Sequence, residues 1–437
     1  MTLKVGLLGL GTVGTGTAKI LLSPDGRQPL LKDLALHRIG VRTLAKARQV
    51  ALPTHLLTDD LDSIVRDPEV DIVVELIGGL EPARSLILKA IESGKHVVTA
   101  NKAVISRYSD EIFTAASQHN VYVMLEAAVG GGIPVIQPLK QSLGGNRLHQ
   151  VMGIVNGTTN YILTRMQTEG AGFSEVLADA QALGYAEADP TADVDGWDAA
   201  DKIAILACLA FNGRVKREDI PCEGIRHITA TDIAYADQLG FVIKLLAIAQ
   251  HDPSAKSSRT LSVRVHPTLV PKTHPLANVN QVYNAILIEG EPIGQVMFFG
   301  PGAGEGPTAS AVVSDILNVA AILKTQVQND AKVAKNHPLL SCLHQDYLNL
   351  RALEEIQTRF YGRFVTKDQP GVIGKLGTCF GDHDVSLESI VQIDSHGSRA
   401  EIVVVTHDVR EGNFRQALDK IQHFDVIEEI PSVIRVL

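Results

Sequence analysis

Short apolar runs and stretches of helical period alternate along the first part of the chain. Residues 3–9, L-K-V-G-L-L-G, read as a buried strand, and residues 15–22 place apolar side chains at helical spacing. Strand-like runs return at residues 36–41, 71–77, 96–99 and 121–125, separated by helical stretches such as 81–93 and 110–119. Strand alternating with helix predicts an α/β fold with a Rossmann-type, doubly wound parallel sheet, because each crossover helix covers a face of the sheet it connects.

The pattern then changes twice. G-G-G-I-P at 130–134 ends the alternation, helical spacing follows at 135–143, and strands at 151–155 and 262–265 predict a second α/β domain on the substrate side. P-G-A-G at 301–304 leads into an apolar helix at 308–323, expected to return to the first domain. The expected division is therefore a dinucleotide-binding domain over 1–133 with a helix from 305–325, a substrate and dimerisation domain over 134–304, and a linker over 326–355 that includes a surface stretch at 328–344. Residues 356–437 read as strand 359–365, helix 372–383, strands 385–392 and 399–406, helix 412–422 and strand 426–436. That βαββαβ order is a ferredoxin-like small domain. It carries no catalytic cluster, which points to regulation or oligomerisation.

Composition narrows the class. A chain of 437 residues exceeds the size at which one core keeps growing, so two or three domains are expected. Net charge is −9 and no long basic cluster occurs, which argues against a nucleic-acid or anionic-membrane partner. Cys208, Cys222, Cys342 and Cys379 are scattered without a C-x-x-C pair and read as thiols of a reducing compartment. The chain starts directly in a strand, and no apolar run approaches the ~18 residues that span a bilayer. A cytoplasmic protein is expected.

Chemistry concentrates in a few segments. G-L-G-T-V-G follows the first strand and opens the first helix, the context that makes a G-x-G-x-x-G turn a dinucleotide site. Gly9 permits the turn, Gly11 lets a pyrophosphate approach the backbone and Gly14 lets helix pack on strand; Leu10, Thr12 and Val13 complete the contact set. The second strand runs into Val41-Arg42-Thr43, with Lys46 and Arg48 nearby, where an acidic residue would grip a ribose 2′-hydroxyl. A base there fits a 2′-phosphate, so NADP(H) is favoured over NAD(H), which stays possible; the alternative is an ordinary basic surface helix. Residues 184–202, G-Y-A-E-A-D-P-T-A-D-V-D-G-W-D-A-A-D-K, gather carboxylates and then turn helical, with Asp198 and Lys202 one turn apart. Lys202 is either a proton donor or half of a solvated ion pair. Lys102 follows the strand at 96–99 at its carboxyl end, where ligands sit in open α/β sheets, or is a surface lysine in a turn.

Across nearly its whole length the chain resembles homoserine dehydrogenases of the form with a C-terminal ACT domain and no fused kinase. The resemblance rests on G-L-G-T-V-G, on T-A-N-K-A at 99–103, on E-A-A-V-G-G-G-I-P at 126–134, on N-G-T-T-N at 156–160 and on the segment 184–202. It implies NAD(P)H-dependent, reversible reduction of L-aspartate 4-semialdehyde to L-homoserine, on the route to threonine, methionine and isoleucine. Lys202 and Lys102 are the implied catalytic residues, the proton donor being one or the other. Glu187 and Asp198 would bind the substrate, with Asp193 in support. Thr99, Lys102, Gly184 and Gly302 would join the turn residues and Arg42 around the cofactor. Glu126, Val129, Gly131 and Ile133 would hold a monovalent cation, sodium, since a hard cation takes oxygen ligands. A glycine hinge between domains is the other reading of that loop. The resemblance further implies a homodimer or larger homo-oligomer, and D-Q-P-G-V-I-G-K-L at 368–376 is similar to the effector-binding turn of ACT domains, with threonine the expected effector.

Two other readings compete. A sugar dehydrogenase related to glucose–fructose oxidoreductase shares a two-domain layout, but carries an E-K-P lysine where this chain has T-A-N-K-A, and gives the Asp198–Lys202 helix no role. A non-catalytic amino-acid sensor would have no need of both lysines and the acidic cluster.

Overall fold

The computed structural model of the chain describes residues 2–251, 260–328, 337, 339–342, 346–396 and 398–437. The chain begins β1 (Leu3–Leu8), α1 (Thr12–Leu22), β2 (Leu34–Gly40), β3 (Leu57–Thr58), α2 (Leu61–Arg66), β4 (Ile72–Glu75), α3 (Ala83–Glu92), β5 (His96–Thr99), α4 (Lys102–His119) and β6 (Val123–Met124). It continues α5 (Ile136–Lys140), β7 (Arg147–Ile154), α6 (Gly157–Glu169), α7 (Phe173–Ala182), α8 (Thr191–Val194), α9 (Trp197–Ala210) and α10 (Ala230–Gln238). Then come β8 (Phe241–His251), β9 (Thr260–Pro271), β10 (Tyr283–Glu291), β11 (Gly294–Pro301) and α11 (Glu305–Gln328). The C-terminal part runs β12 (Asn349–Leu350), β13 (Gln357–Lys367), α12 (Val372–Asp382), β14 (Leu387–His396), β15 (Arg399–Thr406), β16 (Val409–Arg410), α13 (Glu411–Ile421) and β17 (Ile427–Val436).

Internal contacts divide the chain into two units, Met1–Val151 with Asp201–Glu218 and Asn284–Tyr347, and Met152–Ala200 with Asp219–Tyr283 and Leu348–Leu437. This division differs from the three-part reading of the sequence. Residues 134–151 and 284–304 group with the dinucleotide fold, and 348–437 group with the central segments.

In the first unit six parallel strands lie in the order β3-β2-β1-β4-β5-β6, the doubly wound arrangement expected. Two elements differ from the sequence pattern. The strand expected at 121–125 pairs only through Val123 and Met124, because Glu126–Ala128 winds into a 3-10 turn. The helix expected at 110–119 begins at Lys102, where the Asn101 side chain caps it by accepting the Val104 N–H at 3.2 Å. A third difference concerns α11. Its stretch Glu305–Thr325 is long and apolar enough to cross a membrane by composition, contrary to the expectation that no run reaches such length. Its apolar residues serve the core instead: Val312, Ile316, Val319 and Ala320 are fully buried in the cluster around the parallel sheet. Gly16 of α1 makes that packing possible, since a Cβ there would stand 2.7 Å from the Glu305 carbonyl.

In the second unit β8 and β9 form a long antiparallel pair, from Phe241 opposite Pro271 to His251 opposite Leu261. The strand expected at 262–265 is therefore one part of a twelve-residue strand. Polar residues hid its length, because Ser262, Arg264, His266 and Thr268 alternate along it and are nonetheless all buried. β17 pairs parallel with β9, Arg435 opposite Thr268, and antiparallel with β13, after which β15 and β14 complete the sheet of the βαββαβ segment. Phe360, Phe364, Phe380 and Phe414 fill its core. Shared pairing with β9 explains why this segment groups with the central residues. The surface stretch expected at 328–344 falls mostly on residues outside the described ones.

Candidate active site

The turn after β1 presents backbone N–H groups outward. Gly9 has φ +102°, donates its N–H to the Gly40 carbonyl at 3.0 Å and leaves no room for a Cβ, which would lie 2.8 Å from the Leu76 carbonyl. Gly14 packs on the Gly9 carbonyl, whereas Gly11 faces open space. Gly11 is the N-cap of α1 and supplies no side-chain cap, and the first turn of α1 holds no acidic residue. Unspent N–H groups at a helix start, with the helix dipole behind them, suit a pyrophosphate. Leu10 is buried, Val13 is half-buried and Thr12 is exposed. Arg42 stands exposed just beyond β2, in a stretch of turns rather than the basic surface helix weighed as the alternative.

The carboxyl edge of the sheet is held by a group the sequence pattern did not single out. Glu75 is wholly buried at the end of β4, where its Oε1 accepts the Ile77 and Gly78 N–H groups at 2.8 and 3.3 Å and its Oε2 accepts the Thr99 hydroxyl at 2.6 Å. Thr99 Oγ1 also accepts the Asn101 N–H, and Asn101 Nδ2 donates to the Gly79 carbonyl at 2.7 Å. The Thr99 hydroxyl is thus committed to the protein, and its backbone is what remains for a cofactor. Lys102 follows at the first position of α4, half-buried.

Lys202 lies in α9 with 9 % of its surface exposed, and Asp198, one turn earlier, keeps 7 %. Such burial sets aside the solvated ion pair. In the first unit the neighbouring Asp201 ties α9 to α4: its Oδ1 accepts from Ser106 Oγ at 3.1 Å, Arg107 Nη1 at 3.2 Å and Arg217 Nε at 2.9 Å. The helix that begins with Lys102 and the helix that carries Lys202 therefore share one buried carboxylate. Asp201→Ala is expected to cost about 3 kcal/mol in urea unfolding, by withdrawing the carboxylate from two arginines, and to lower kcat about tenfold. Unchanged kcat alongside the stability loss would reduce Asp201 to a structural group.

Within the second unit Asn156 gathers two of the acidic residues. Its Nδ2 donates to Asp193 Oδ1 at 2.7 Å and to Asp198 Oδ2 at 2.9 Å, while its Oδ1 caps α6 by accepting the Thr159 N–H at 2.9 Å. Glu187 is exposed on the loop after α7, whose backbone carbonyls at 187 and 188 accept from Gln181 Nε2. Gly184 opens that loop at φ +75°.

The G-G-G-I-P loop of the first unit, buried at Gly130, Gly131 and Ile133 and exposed at Pro134, is stitched to the start of the 301–304 turn. Gly132 donates to the Pro301 carbonyl at 3.1 Å, and a Cβ on Gly131 would collide with the Gly302 carbonyl. Gly302 in turn abuts the buried Asn284 side chain. Glu126 accepts three N–H groups at the start of α5, from Val135, Ile136 and Gln137 at 2.6, 2.8 and 2.8 Å. Burial nonetheless pushes its carboxyl above the usual range. Its own N–H donates to Asp315, which burial pushes up to about 8. The Gly130 carbonyl is taken by Ile133, whereas those of Val129, Gly131 and Ile133 accept no hydrogen bond among the described residues. Buried carbonyls without donors beside a carboxylate fit a hard cation.

Family models agree with this layout. One described as the NAD binding domain of homoserine dehydrogenase matches residues 9–126, one described as homoserine dehydrogenase matches 134–317, and an ACT domain matches 363–422. The chain is 64% identical to homoserine dehydrogenase of Synechocystis sp. over 100% of both proteins. The chain belongs to the homoserine dehydrogenase family. Among solved structures, the homoserine dehydrogenase of Thiobacillus denitrificans is 40% identical with a TM-score of 0.90, covering 100% of this chain and 98% of that one. A hyperthermophilic archaeal homoserine dehydrogenase solved in complex with NADPH is 26% identical, with a TM-score of 0.61 over 74% of this chain and 98% of its own.

The chain is accordingly an NAD(P)-dependent oxidoreductase. In this homoserine dehydrogenase several buried polar side chains hold the candidate site residues without being marked by the sequence alone. Asp201 and Glu75 sit beside marked residues, yet a single carboxylate has no spacing to betray it. Asn156 lies in a motif that was noted, but its bridging of Asp193 and Asp198 depends on a fold that brings 156 and 193 together. Asp315 is hidden in an apolar helix, where one acidic residue at an inward position is the only sequence trace.

Proposed function

We propose that the enzyme reduces L-aspartate 4-semialdehyde to L-homoserine, reversibly, on the route to threonine, methionine and isoleucine in the cytoplasm. The observation that carries this reading is the buried Lys202, set on a helix fixed by Asp201 to the helix that Lys102 begins. The nicotinamide, when bound, supplies the hydride. Lys202 then faces negative charge growing on the carbonyl oxygen, neutralises it and gives up a proton, while Lys102 adds positive charge on the cofactor side. Glu187 and Asp198 bind the substrate ammonium, and Asp193 steadies Asp198 through Asn156. Glu126 with the carbonyls of Val129, Gly131 and Ile133 holds sodium. Following NADPH oxidation by absorbance tests the assignment, and an inert wild-type chain with aspartate semialdehyde would sink it.

NADPH is the preferred cofactor, supported by Arg42 just beyond β2 and by the archaeal relative solved with NADPH. Arg42→Glu is expected to raise KM for NADPH about tenfold and leave KM for NADH nearly unchanged, since only the 2′-phosphate contact is lost. Equal effects on both cofactors would remove Arg42 from the selectivity.

The ACT segment is the regulatory part, with threonine its ligand. Support comes from the turn Asp368-Gln369-Pro370-Gly371, which with Gln392 and Ala400 lines a cavity of about 220 Å³. Asp368→Ala is expected to raise the threonine concentration for half-inhibition about tenfold or more without altering uninhibited kcat. A variant as sensitive as wild type would place the effector elsewhere. The functional unit is a homodimer or a larger assembly of this chain, checked by light scattering.

A further inference from the structure

In the first unit, the half of α9 beyond Lys202 borders a small, mostly apolar cavity of about 40 Å³. Cys208 of α9 and Cys342, from the segment after α11, both line it, together with Ile105, Phe113, Leu125 and Leu209. Cys342 also lines a second cavity of about 10 Å³ with Phe113, Tyr122 and Ser341, so it has unfilled space on two sides. Both thiols are free. Described residues before and after Cys342 are anchored. Lys140 Nζ donates to the Leu340 carbonyl at 2.6 Å, the Arg214 N–H to the Asp346 carbonyl at 2.9 Å, and the Tyr347 hydroxyl to Asp110 at 2.7 Å. Cys208 Sγ accepts the Val215 N–H at 3.2 Å. Burial pushes the Cys208 thiol up to about 12, with the charge of Cys342 among the lesser causes.

We propose that Cys208 and Cys342 form a reversible disulfide that ties α9 to the segment following α11 and slows turnover. A peroxide is the oxidant. Cys342 attacks as thiolate and takes one peroxide oxygen as a sulfenic acid, while the other oxygen leaves as water after protonation. Cys208, poorly ionised in its buried setting, acts second: its sulfur displaces the sulfenic hydroxyl, its proton leaves with that hydroxyl as a second water, and the S–S bond closes. Two thiols are oxidised and one peroxide is reduced to two waters. Closing the sulfurs to about 2.05 Å takes Cys208 away from the Val215 N–H and draws the end of α9 toward Cys342. Because a helix moves as a rod, Lys202 shifts with it.

The test treats the full-length enzyme with hydrogen peroxide, blocks remaining thiols with iodoacetamide and maps the peptides without reduction. The expected result is a linked Cys208–Cys342 peptide pair lacking two hydrogens, a fall in kcat of about threefold or more, and recovery with dithiothreitol. Cys342→Ser and Cys208→Ser should keep their turnover through the treatment, and Cys379→Ser should behave like wild type. Both thiols alkylated in the treated wild type would overturn the proposal, as would a linked chain that turns over at the untreated rate. The kcat arm rests on the reductase reading, whereas the peptide map reads the bond whatever the reaction.

Discussion

Lys202→Met is expected to lower kcat for aspartate-semialdehyde reduction by about a thousandfold while KM for NADPH stays within about threefold, the size of effect that loss of a positioned proton donor produces. Methionine keeps the length and apolar stem of the side chain, so α9 retains its packing: Ala199, Ala200, Ile203, Ala204 and Leu206 are all buried and none depends on the ammonium. The variant should therefore unfold close to wild type in urea. Lys102→Met discriminates between the two lysines: as an electrostatic group on the cofactor side it should weaken NADPH binding as well as turnover. A Lys202→Met enzyme turning over within about threefold of wild type would sink the assignment of the proton to Lys202 without disturbing the family.

The parts of this molecule that sequence exposes are those whose physics is local. The turn Gly9–Gly14 was legible because a tight turn, a close approach and a helix start each demand glycine at fixed offsets, and the parallel sheet was legible from the alternation that demanded it. The βαββαβ segment was readable for the same reason, down to the limits of β15. What sequence could not show was non-local. β9 is a twelve-residue strand whose inward side chains include Arg264, His266 and Thr268, and nothing in their neighbours announces the partners that make burial tolerable. His266 Nδ1 pairs with the Thr268 hydroxyl and its Nε2 accepts from Arg264 Nε, so a polar stripe is satisfied mostly within itself. The limits of α4 were missed because the Asn101 cap looks, in sequence, like part of the T-A-N-K-A turn.

The same contrast governs the site. Lys202 and Asp198 could be named from spacing and resemblance, but their burial, which sets aside a solvated surface pair, belongs to the fold. Asp201 sits between two marked positions and was passed over, since its three partners come from residues 106, 107 and 217. Positioning groups of this kind act through geometry, and geometry is the last thing a one-dimensional pattern records.

Arg435→Met is expected to destabilise the second unit by about 3 kcal/mol, because it strips the buried partner from a buried carboxylate and leaves it the half-exposed Arg415 alone. Arg435 lies on β17 with 3 % of its surface exposed, and its Nε and Nη2 donate to the two oxygens of Glu411, itself 1 % exposed, at 2.9 and 2.5 Å. The same guanidinium donates to both oxygens of Glu223 at 3.0 and 2.9 Å, but Glu223 is 44% exposed and water can replace that partner. Glu411 has no such exposure and would keep only Arg415, a side chain 44 % exposed, whose Nε and Nη2 donate to its Oε1 at 3.3 and 3.1 Å. Arg264, on β9, cannot step in, because its own donors are engaged with His266 and Ser262, and burial lowers it to about 10. A double variant separates the burial penalty from the attraction: adding Glu411→Gln to Arg435→Met removes the under-compensated charge and should recover about half of the loss in urea unfolding. Since Arg435 stands opposite Thr268 where β17 joins β9, the single variant should also raise amide exchange along β17 and β9 before it does so in the parallel sheet of the first unit. A single variant within about 1 kcal/mol of wild type, or a double variant no more stable than the single one, would show that Arg415, water or a proton suffices for Glu411, and that the join between these strands rests on their backbone ladder alone.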